Sequence, residues 1–377
     1  MSRATLSERE QRVLEAVIRA YVETAEAAGS RTVAKRYRLG VSPATIRNTM
    51  ADLEDKGFLY HPHTSAGRIP TDLAYRYYVD TLMGPVKIKP SDQRRLRREL
   101  DIEGERTPLE RLISRAAQVL GLLTGELGIA IEPRIREAVL EKLELVALTA
   151  EKVLLVLTLK GGLIRTVYVD LPISVPPEAL VSVTMILNER LAGRTLSEIR
   201  QTLPERLRDA AARDDTAGEL LNIFLQSAEG IFDWTSSQSG ELHLGRTSVL
   251  ASQPEFASGS RLRDLIELTE RRELLETALV GREHGATLKI TIGSEHRQPE
   301  LSPFTLVTSD YVIGNLSGVI GVIGPTRMPY EKVVSIVQNA SSLLTQLLGT
   351  VVEGRAAYGA TAGHAGSTAS PKAQLAK

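Results

Sequence analysis

The stretch at residues 42–83 most constrains what this chain can fold into, because it combines a well-marked helix with a polar, basic loop. Ser42 can accept a hydrogen bond at the helix N-terminus, and Pro43 stands at the first helical position, where its missing N–H costs nothing. Gly57 predicts the end of the helix. Apolar residues at i, i+4 and i+7 predict one buried stripe, formed by Ile46, Met50 and Leu53.

The opposite face of this predicted helix carries small, polar and cationic side chains. The same spacing turns Thr45 and Asn48 away from the buried stripe, with Arg47 beside them. A helix with such a face is suited to enter the major groove of DNA. Residues 60–71 then predict a loop between two short extended arms, so the whole stretch predicts a winged helix-turn-helix.

Two further helices are predicted before this stretch. Ser7 and Glu10 have the spacing of a capping box, and a helical apolar stripe follows them. Ser30 can cap a second helix over residues 31–38, and Gly40 begins the turn into the third helix. Three helices with a short glycine turn between the last two match the helix-turn-helix pattern, for which a small helical bundle is the alternative.

Charge is distributed unevenly along the chain. The 46 Lys and Arg residues balance 46 Asp and Glu residues, and a net charge of zero by itself disfavours a nucleic-acid binder. Residues 27–51 nevertheless contain no acidic residue and carry five cations, Arg31, Lys35, Arg36, Arg38 and Arg47. The N-terminal helices are therefore predicted to present a cationic patch.

Composition excludes several classes of protein. The chain has no cysteine, which excludes disulfides and thiolate metal sites. The N-terminus lacks an apolar signal core, and no uncharged apolar run approaches the roughly 20 residues that cross a bilayer. We therefore expect a cytoplasmic protein that does not contact the membrane.

The loop after the third helix is dense in hydrogen-bond donors, namely His61, His63, Thr64, Ser65 and Arg68. Gly67 within it allows positive φ. A stiff loop of this composition suits contacts to phosphates or to the minor groove. His61 and His63 could also form a metal pair, but no set of carboxylates or thiolates accompanies them. Solvated imidazoles are expected, and no metal site is predicted.

The rest of the chain mixes helical and extended segments. Residues 84–90 predict a hinge, and residues 91–105 a charged, solvated helix. Extended segments are predicted at 143–148, 153–159, 163–171, 242–245, 286–293, 304–311 and 316–323. Helices are predicted from Pro108 to Leu123, from Leu180 to Leu191, and over 195–207, 218–232, 262–279 and 330–348. Strands flanked by helices, with antiparallel hairpins, predict an α+β multidomain fold.

No group of residues predicts catalysis. The run from Gly321 to Gly324 lacks the lysine and the spacing of a phosphate-binding loop. Glu295 and His296 could act as an acid/base pair, but without a nucleophile an exposed loop position is the expectation. The chain is therefore expected not to be an enzyme, with no catalytic residues and no cofactor.

Several motifs resemble a known family. The runs TIRNTMADLEDKGFL and PHTSAGRIPTDLAYRYYVD, then ITIG at 290–293 and LSGVIGVIGPTRM at 316–328, resemble the HrcA family of repressors of bacterial chaperone genes. The resemblance brackets most of the chain. It departs at Ala27 and Ala28, where the family usually has Pro-Val, and at Ala74, where glycine is common.

The resemblance implies a domain layout. It predicts a winged helix-turn-helix DNA-binding domain at residues 1–83 and a linker at 84–106. A GAF-like α+β domain is expected in two parts, 107–173 and 251–354, separated by an inserted dimerising domain at 174–250. Residues 355–377, rich in Ala, Gly, Ser and Thr, are expected to form a disordered tail.

The resemblance also implies a function. It predicts a homodimeric repressor of heat-shock operons that binds the CIRCE inverted repeat in double-stranded DNA and depends on the chaperonin GroEL for activity. The alternative is a regulator that senses a metabolite through the GAF-like domain. The candidate DNA-binding residues are Arg31, Thr32, Lys35, Ser42, Thr45, Arg47, Asn48, His61, His63, Thr64, Ser65 and Arg68.

Overall fold

The structure is a computed structural model with two compact units. It describes residues 6–62, 67–100, 109–149, 151–161, 163–171, 176–212, 216–226, 241–280 and 288–362. The first unit comprises Met1–Ile131, Glu241–Asp310 and Val319–Leu343. The second unit comprises Glu132–Gly240, Tyr311–Gly318 and Leu344–Lys377.

The first unit begins with helices and a short hairpin. The elements are α1 (Glu8–Thr24), α2 (Ser30–Tyr37), α3 (Pro43–Asp55), β1 (Leu59–Tyr60), β2 (Ile69–Pro70), α4 (Asp72–Tyr77) and α5 (Pro90–Leu100). A π-helical turn, Tyr78–Leu82, continues α4. The strands β1 and β2 pair antiparallel, with Leu59 opposite Pro70 and Tyr60 opposite Ile69. The helices share a core that includes Leu14, Val17, Val33, Ile46 and Leu53.

Side-chain caps mark the starts of α1, α3 and α4, whereas α2 begins at Ser30 after Gly29 with no side-chain cap, so the predicted Ser30 cap is wrong. The predicted capping box is confirmed: the Glu10 N–H donates to Ser7 Oγ, and the Ser7 N–H donates to Glu10 Oε2 at 2.8 Å. Glu10 Oε1 also lies 2.6 Å from Lys56 Nζ, which joins the start of α1 to the end of α3. The hydrogen bond from Lys56, with that from the Ser7 backbone, lowers the pKa of Glu10 to about 2.

A five-stranded sheet forms the rest of the first unit's core. It is built from β3 (Leu127–Ile131), β7 (Leu242–Leu244), β8 (Lys289–Ile292), β9 (Phe304–Ile313) and β10 (Leu316–Pro325), in the order β7-β3-β10-β9-β8. Strand β3 pairs antiparallel with both β7 and β10, and β8 pairs antiparallel with β9. Helix α6 (Leu109–Thr124) packs along β3.

One predicted helix is two helices. The sequence predicts a single helix over 262–279, but α11 (Gly259–Glu270) and α12 (Arg272–Val280) are separated at Arg271, whose φ of −88° and ψ of 68° leave the helical region. The short helix α10 (Thr247–Ala251) precedes them. The prediction of one helix is wrong because the apolar spacing continues through the break, and Leu268 and Leu275 join the same buried cluster.

The second unit contains a three-stranded sheet. Antiparallel strands β4 (Leu140–Thr149), β5 (Lys152–Leu159) and β6 (Ile164–Asp170) confirm the predicted extended segments. Helices α7 (Pro177–Leu191), α8 (Leu196–Ala211) and α9 (Thr216–Gln226) follow. Asn188 on α7 anchors β4, because its side chain accepts from Leu143 N at 2.8 Å and donates to Leu143 O at 2.7 Å.

The last helix, α13 (Tyr330–Ala362), reaches into the predicted tail. Disorder was expected from residue 355 onward, but the backbone is helical to residue 362, where alanines favour helix. Residues 363–377 lie outside the described part of the chain. Among the described helices, none combines the length and apolar character needed to cross a bilayer.

Polar contacts join the N-terminal helices to the sheet within the first unit. Arg76 on α4 donates from Nε and Nη2 to the two carboxylate oxygens of Glu295, each at 2.6 Å, and from Nη2 to the Ile290 carbonyl at 2.7 Å. The Ser294 N–H donates to Asp72 Oδ2 at 2.8 Å. Glu295 therefore forms a bidentate ion pair with Arg76.

A carboxyl group is buried where α6 turns into β3. Glu126 is 2% exposed, and Gln253 Nε2 donates to its Oε2 at 2.9 Å. A Cβ on residue 324 would lie 2.0 Å from that oxygen, so any larger residue there would force the Glu126 carboxyl group to move. Burial raises the pKa of Glu126 to about 8, although the hydrogen bond from Gln253 opposes this.

Candidate nucleic-acid interface

The candidate interface is organised by α3, whose cap and burial agree with the sequence-based expectation. Ser42 Oγ accepts from the Thr45 N–H at 3.1 Å, and Pro43 occupies the first turn. The predicted stripe is buried, with Ile46, Met50 and Leu53 at most 3% exposed. The helix is therefore held on one side and open on the other.

The open side of α3 presents the predicted base-reading side chains. Arg47 and Asn48 are exposed, and Thr45 is half-buried. Thr45 Oγ1 lies 3.0 Å from Ser42 Oγ, so these two hydroxyls bond to each other at the start of the helix. Arginine and asparagine are the residue types that read guanine and adenine through paired hydrogen bonds.

Cations with no ion-pair partner among the described residues surround this face. Arg31, Lys35, Arg38 and Arg47 are exposed and make no described salt bridge, whereas Arg36 pairs with Glu23. Arg31, Thr32 and Lys35 line one shallow depression on α2 together with Arg36, and α2 packs on α3. An exposed cation without an acidic partner is available to a polyanion.

The hairpin after α3 is tied to the turn between α1 and α2. The Ala28 N–H donates to Arg68 O at 2.9 Å, and the Arg68 N–H donates to Ala28 O at 3.0 Å. A Cβ on residue 67 would lie 2.5 Å from the Ala28 carbonyl, so Gly67 permits this approach. The backbone thus holds the second arm of the hairpin against the helices.

Two hairpin side chains that were predicted to contact DNA, His61 and Arg68, already bond to another residue of the protein. Glu54, in the last turn of α3, places Oε1 2.6 Å from His61 Nδ1 and Oε2 2.8 Å from Arg68 Nη2. The Arg68 side chain is 15% exposed and that of His61 30% exposed. The expectation of a solvated His61 imidazole is therefore wrong, because the chain brings the Glu54 carboxylate to it.

The hairpin has three further residues that were predicted to contact DNA. His63, Thr64 and Ser65 lie outside the described residues. Sequence reasoning did not single out Glu54, because an acidic residue at a helix end carries no signal of its own. Its importance arises only when residues 61 and 68 return to it through the hairpin.

The fold and this surface together define a class: a mixed helix-and-sheet protein whose N-terminal helices present a polar helical face among exposed cations. A family model described as the HrcA protein C terminal domain matches residues 110–334. The chain belongs to the HrcA family.

Relatives and a solved structure agree with this assignment. A protein of Chlorobium phaeobacteroides named heat-inducible transcription repressor HrcA is 39% identical over 353 residues, which cover 91% of this chain and 98% of the relative. A Chlorobaculum tepidum protein of the same name is 36% identical over 360 residues, covering 92% and 99%. A crystal structure of a hypothetical protein at 2.2 Å resolution has a TM-score of 0.59 and 19% identity, covering 92% of this chain and 100% of that one, and supports a shared fold.

Proposed function

We propose that this chain is a heat-inducible transcription repressor that binds the CIRCE inverted repeat of chaperone operons through an N-terminal winged helix-turn-helix. The observation that carries the proposal is the exposure of Arg47 and Asn48 on a capped helix, beside exposed cations that form no ion pair within the described part of the chain. The names of the relatives supply the direction of regulation. No enzymatic activity is proposed.

Each part of the surface has a proposed role. Arg47 and Asn48, with Thr45, reach base edges in the major groove. Arg31, Thr32 and Lys35 contact the backbone from α2, and Ser42 does so from the start of α3. His63, Thr64 and Ser65 serve from the hairpin. His61 and Arg68 take part in the hairpin through the Glu54 carboxylate that binds them.

A homodimer is part of the proposal, because an inverted repeat requires a two-fold assembly. The three-stranded sheet of the second unit, which lies outside the proposed dimerising insertion at 174–250, adds separate support for self-association. Val146, Leu154 and Tyr168 form one cross-strand row. Val146 is 46% and Tyr168 73% exposed, so the row leaves apolar area open to solvent. Apolar surface of this kind favours self-association.

The proposed layout follows the expected domains. Residues 1–83 bind DNA, 84–106 connect, 107–173 and 251–354 form a GAF-like domain, and 174–250 form the dimerising insertion. We place the repressor in the cytoplasm. GroEL acts by mass action: a partner that favours the competent fold raises its population, and diversion of that partner by heat-damaged proteins lowers it.

The test measures duplex binding by the full-length chain. Its affinity for the inverted repeat and for a scrambled duplex of equal length is compared at several salt concentrations, with and without GroEL. We expect the chain to bind the intact repeat tightly but not the scrambled duplex, and to bind more weakly when one half-site is scrambled. GroEL should raise the fraction of protein that is active in binding.

Two matched variants separate base reading from backbone binding. Asn48→Ala should cost about 1–3 kcal/mol on the repeat and little on the scrambled duplex, because a base contact is lost. Lys35→Ala should weaken both duplexes about equally and flatten the salt dependence, because a phosphate contact is lost. Equal losses on both duplexes for Asn48→Ala would contradict its assigned role.

Two other outcomes would count against the repressor function as a whole. A wild-type chain that binds the repeat and the scrambled duplex alike, even after GroEL treatment, would refute it. Binding that responds to a metabolite extract but not to GroEL would favour the regulator with a ligand-sensing GAF-like domain instead.

A further inference from the structure

One carboxylate connects α3 to both arms of the hairpin. Glu54 lies in the last turn of α3, His61 directly follows β1, and Arg68 directly precedes β2. The two Glu54 oxygens divide their contacts between the arms, 2.6 Å to His61 Nδ1 and 2.8 Å to Arg68 Nη2. Hydrogen bonds in which both partners can be ionised are the strong ones, and two of them in different directions restrict rotation of the hairpin.

We propose that Glu54 is a positioning residue for DNA recognition: it fixes the angle between the hairpin and α3 so that both engage one duplex together. The inference rests on the proposed function, since it assumes that α3 and the hairpin both contact DNA. Glu54 itself touches no nucleic acid in this proposal.

The internal bonds of Arg68 favour a role for the Glu54–Arg68 pair in positioning the hairpin over direct binding of DNA by Arg68. Its side chain is 15% exposed, with Nη2 bonded to Glu54, and its backbone N–H and C=O both pair with Ala28. A phosphate would have to displace the carboxylate and reach a mostly buried group. The exposed cations Arg31, Lys35 and Arg47 make no such internal bond among the described residues, so they meet a phosphate at lower cost.

If Glu54 acted only through its charge, its removal would change DNA affinity in the opposite direction to that expected of a positioning residue, so the proposal can be tested. An acidic side chain close to DNA repels phosphates, so its simple removal raises affinity for every duplex. Removal of a positioning group lowers affinity for the operator, because contacts that depended on alignment are lost. Asp55 supplies the control, since it is exposed, adjacent and bonded to no described side chain.

The experiment compares full-length Glu54→Ala, Glu54→Gln and Asp55→Ala with the wild type on the inverted repeat and the scrambled duplex. Glu54→Ala is expected to lower operator affinity about tenfold, comparable to one good contact. Glu54→Gln should recover part of the loss, because the amide oxygen can still accept from Arg68. Asp55→Ala should leave operator affinity unchanged or slightly raised.

Footprinting gives a readout that a merely stabilising residue would not move. Hydroxyl-radical protection of the DNA flanks reached by the hairpin should weaken in Glu54→Ala, while protection where α3 lies persists. In the free chain, hydrogen exchange of the Arg68 and Ile69 amides should quicken in the same variant. Thermal unfolding of each variant confirms that the comparison is made on folded protein.

The outcomes distinguish this inference from the function on which it rests. If Glu54→Ala raises affinity for both duplexes as Asp55→Ala does, or weakens every footprint uniformly, Glu54 does not position the hairpin. If Glu54→Ala does not fold, Glu54→Gln decides, and unchanged affinity with unchanged flank protection overturns the proposal. Loss of operator preference by the wild type would instead refute the repressor function.

Discussion

Glu126→Gln should raise the stability of the first unit at neutral and alkaline pH. The folded state holds the proton on Glu126 up to a pKa of about 8, whereas the ordinary value for the group is 4.5. Between these values the folded chain binds one more proton than the unfolded chain, so stability falls as the pH rises. The neutral amide has no proton to lose and removes this loss.

The magnitude follows from the size of the shift. Each pKa unit corresponds to about 1.4 kcal/mol, so Glu126 alone should cost the folded state about 4 kcal/mol between pH 5 and pH 8. Below the unfolded pKa the contribution is fully favourable, and it is lost as the pH rises through the folded pKa. Glutamine keeps the shape of the side chain and an oxygen that can accept from Gln253 Nε2.

The assay is thermal or urea unfolding of the wild type and the variant over this pH range. A matched control is Glu270→Gln, which removes the same charge from an exposed position on α11. We expect the pH dependence of Glu126→Gln to be flatter than that of both other proteins. Parallel pH curves for all three would refute the reasoning, since the buried carboxyl would then not be protonated in the fold.

Two further predictions concern ion pairs of the first unit. The pKa of Glu10 is lowered to about 2, so its stabilisation is fully present above 4.5 and is lost as the pH falls through 2. Lys56→Met should therefore cost about 1 kcal/mol near pH 7, since Lys56 is part-exposed, and clearly less near pH 2, where Glu10 is about half protonated. Urea unfolding at both pH values measures the two costs. An equal cost at both pH values would contradict this. For Arg76 and Glu295, a double-mutant cycle with alanine should give a coupling of about 1–2 kcal/mol, because the pair is bidentate and part-buried. A coupling near zero would mean that Arg76 acts through the Ile290 carbonyl instead.

Local sequence patterns predicted the helices of the candidate interface well. The Ser42 cap, the apolar stripe of α3 and the Ser7 capping box are each defined by residues within one or two turns of helix, so the sequence alone contains their geometry. The exposure of Arg47 and Asn48 follows from the same helical period.

Long-range pairings could not be predicted in this way. The Glu54 contacts depend on the path of the hairpin, and the Arg76–Glu295 pair joins residues 219 positions apart. The break at Arg271 was missed because apolar spacing reports burial and not the ψ angle of one residue. Glu126 gave no sign of burial, since its neighbours in the chain are two glycines and a leucine and only folding encloses it.

The pairing between residues 28 and 68 has a consequence for how this region can vary. Both bonds run through the main chain, so they do not depend on the identity of the side chain at position 28, although a replacement must fit a site that is only 4% exposed. An insertion or deletion in this turn would instead shift the backbone N–H and C=O of residue 28 out of register with those of residue 68 and break both hydrogen bonds. Sequence variation among relatives in this turn should therefore consist of substitutions and almost never of insertions or deletions.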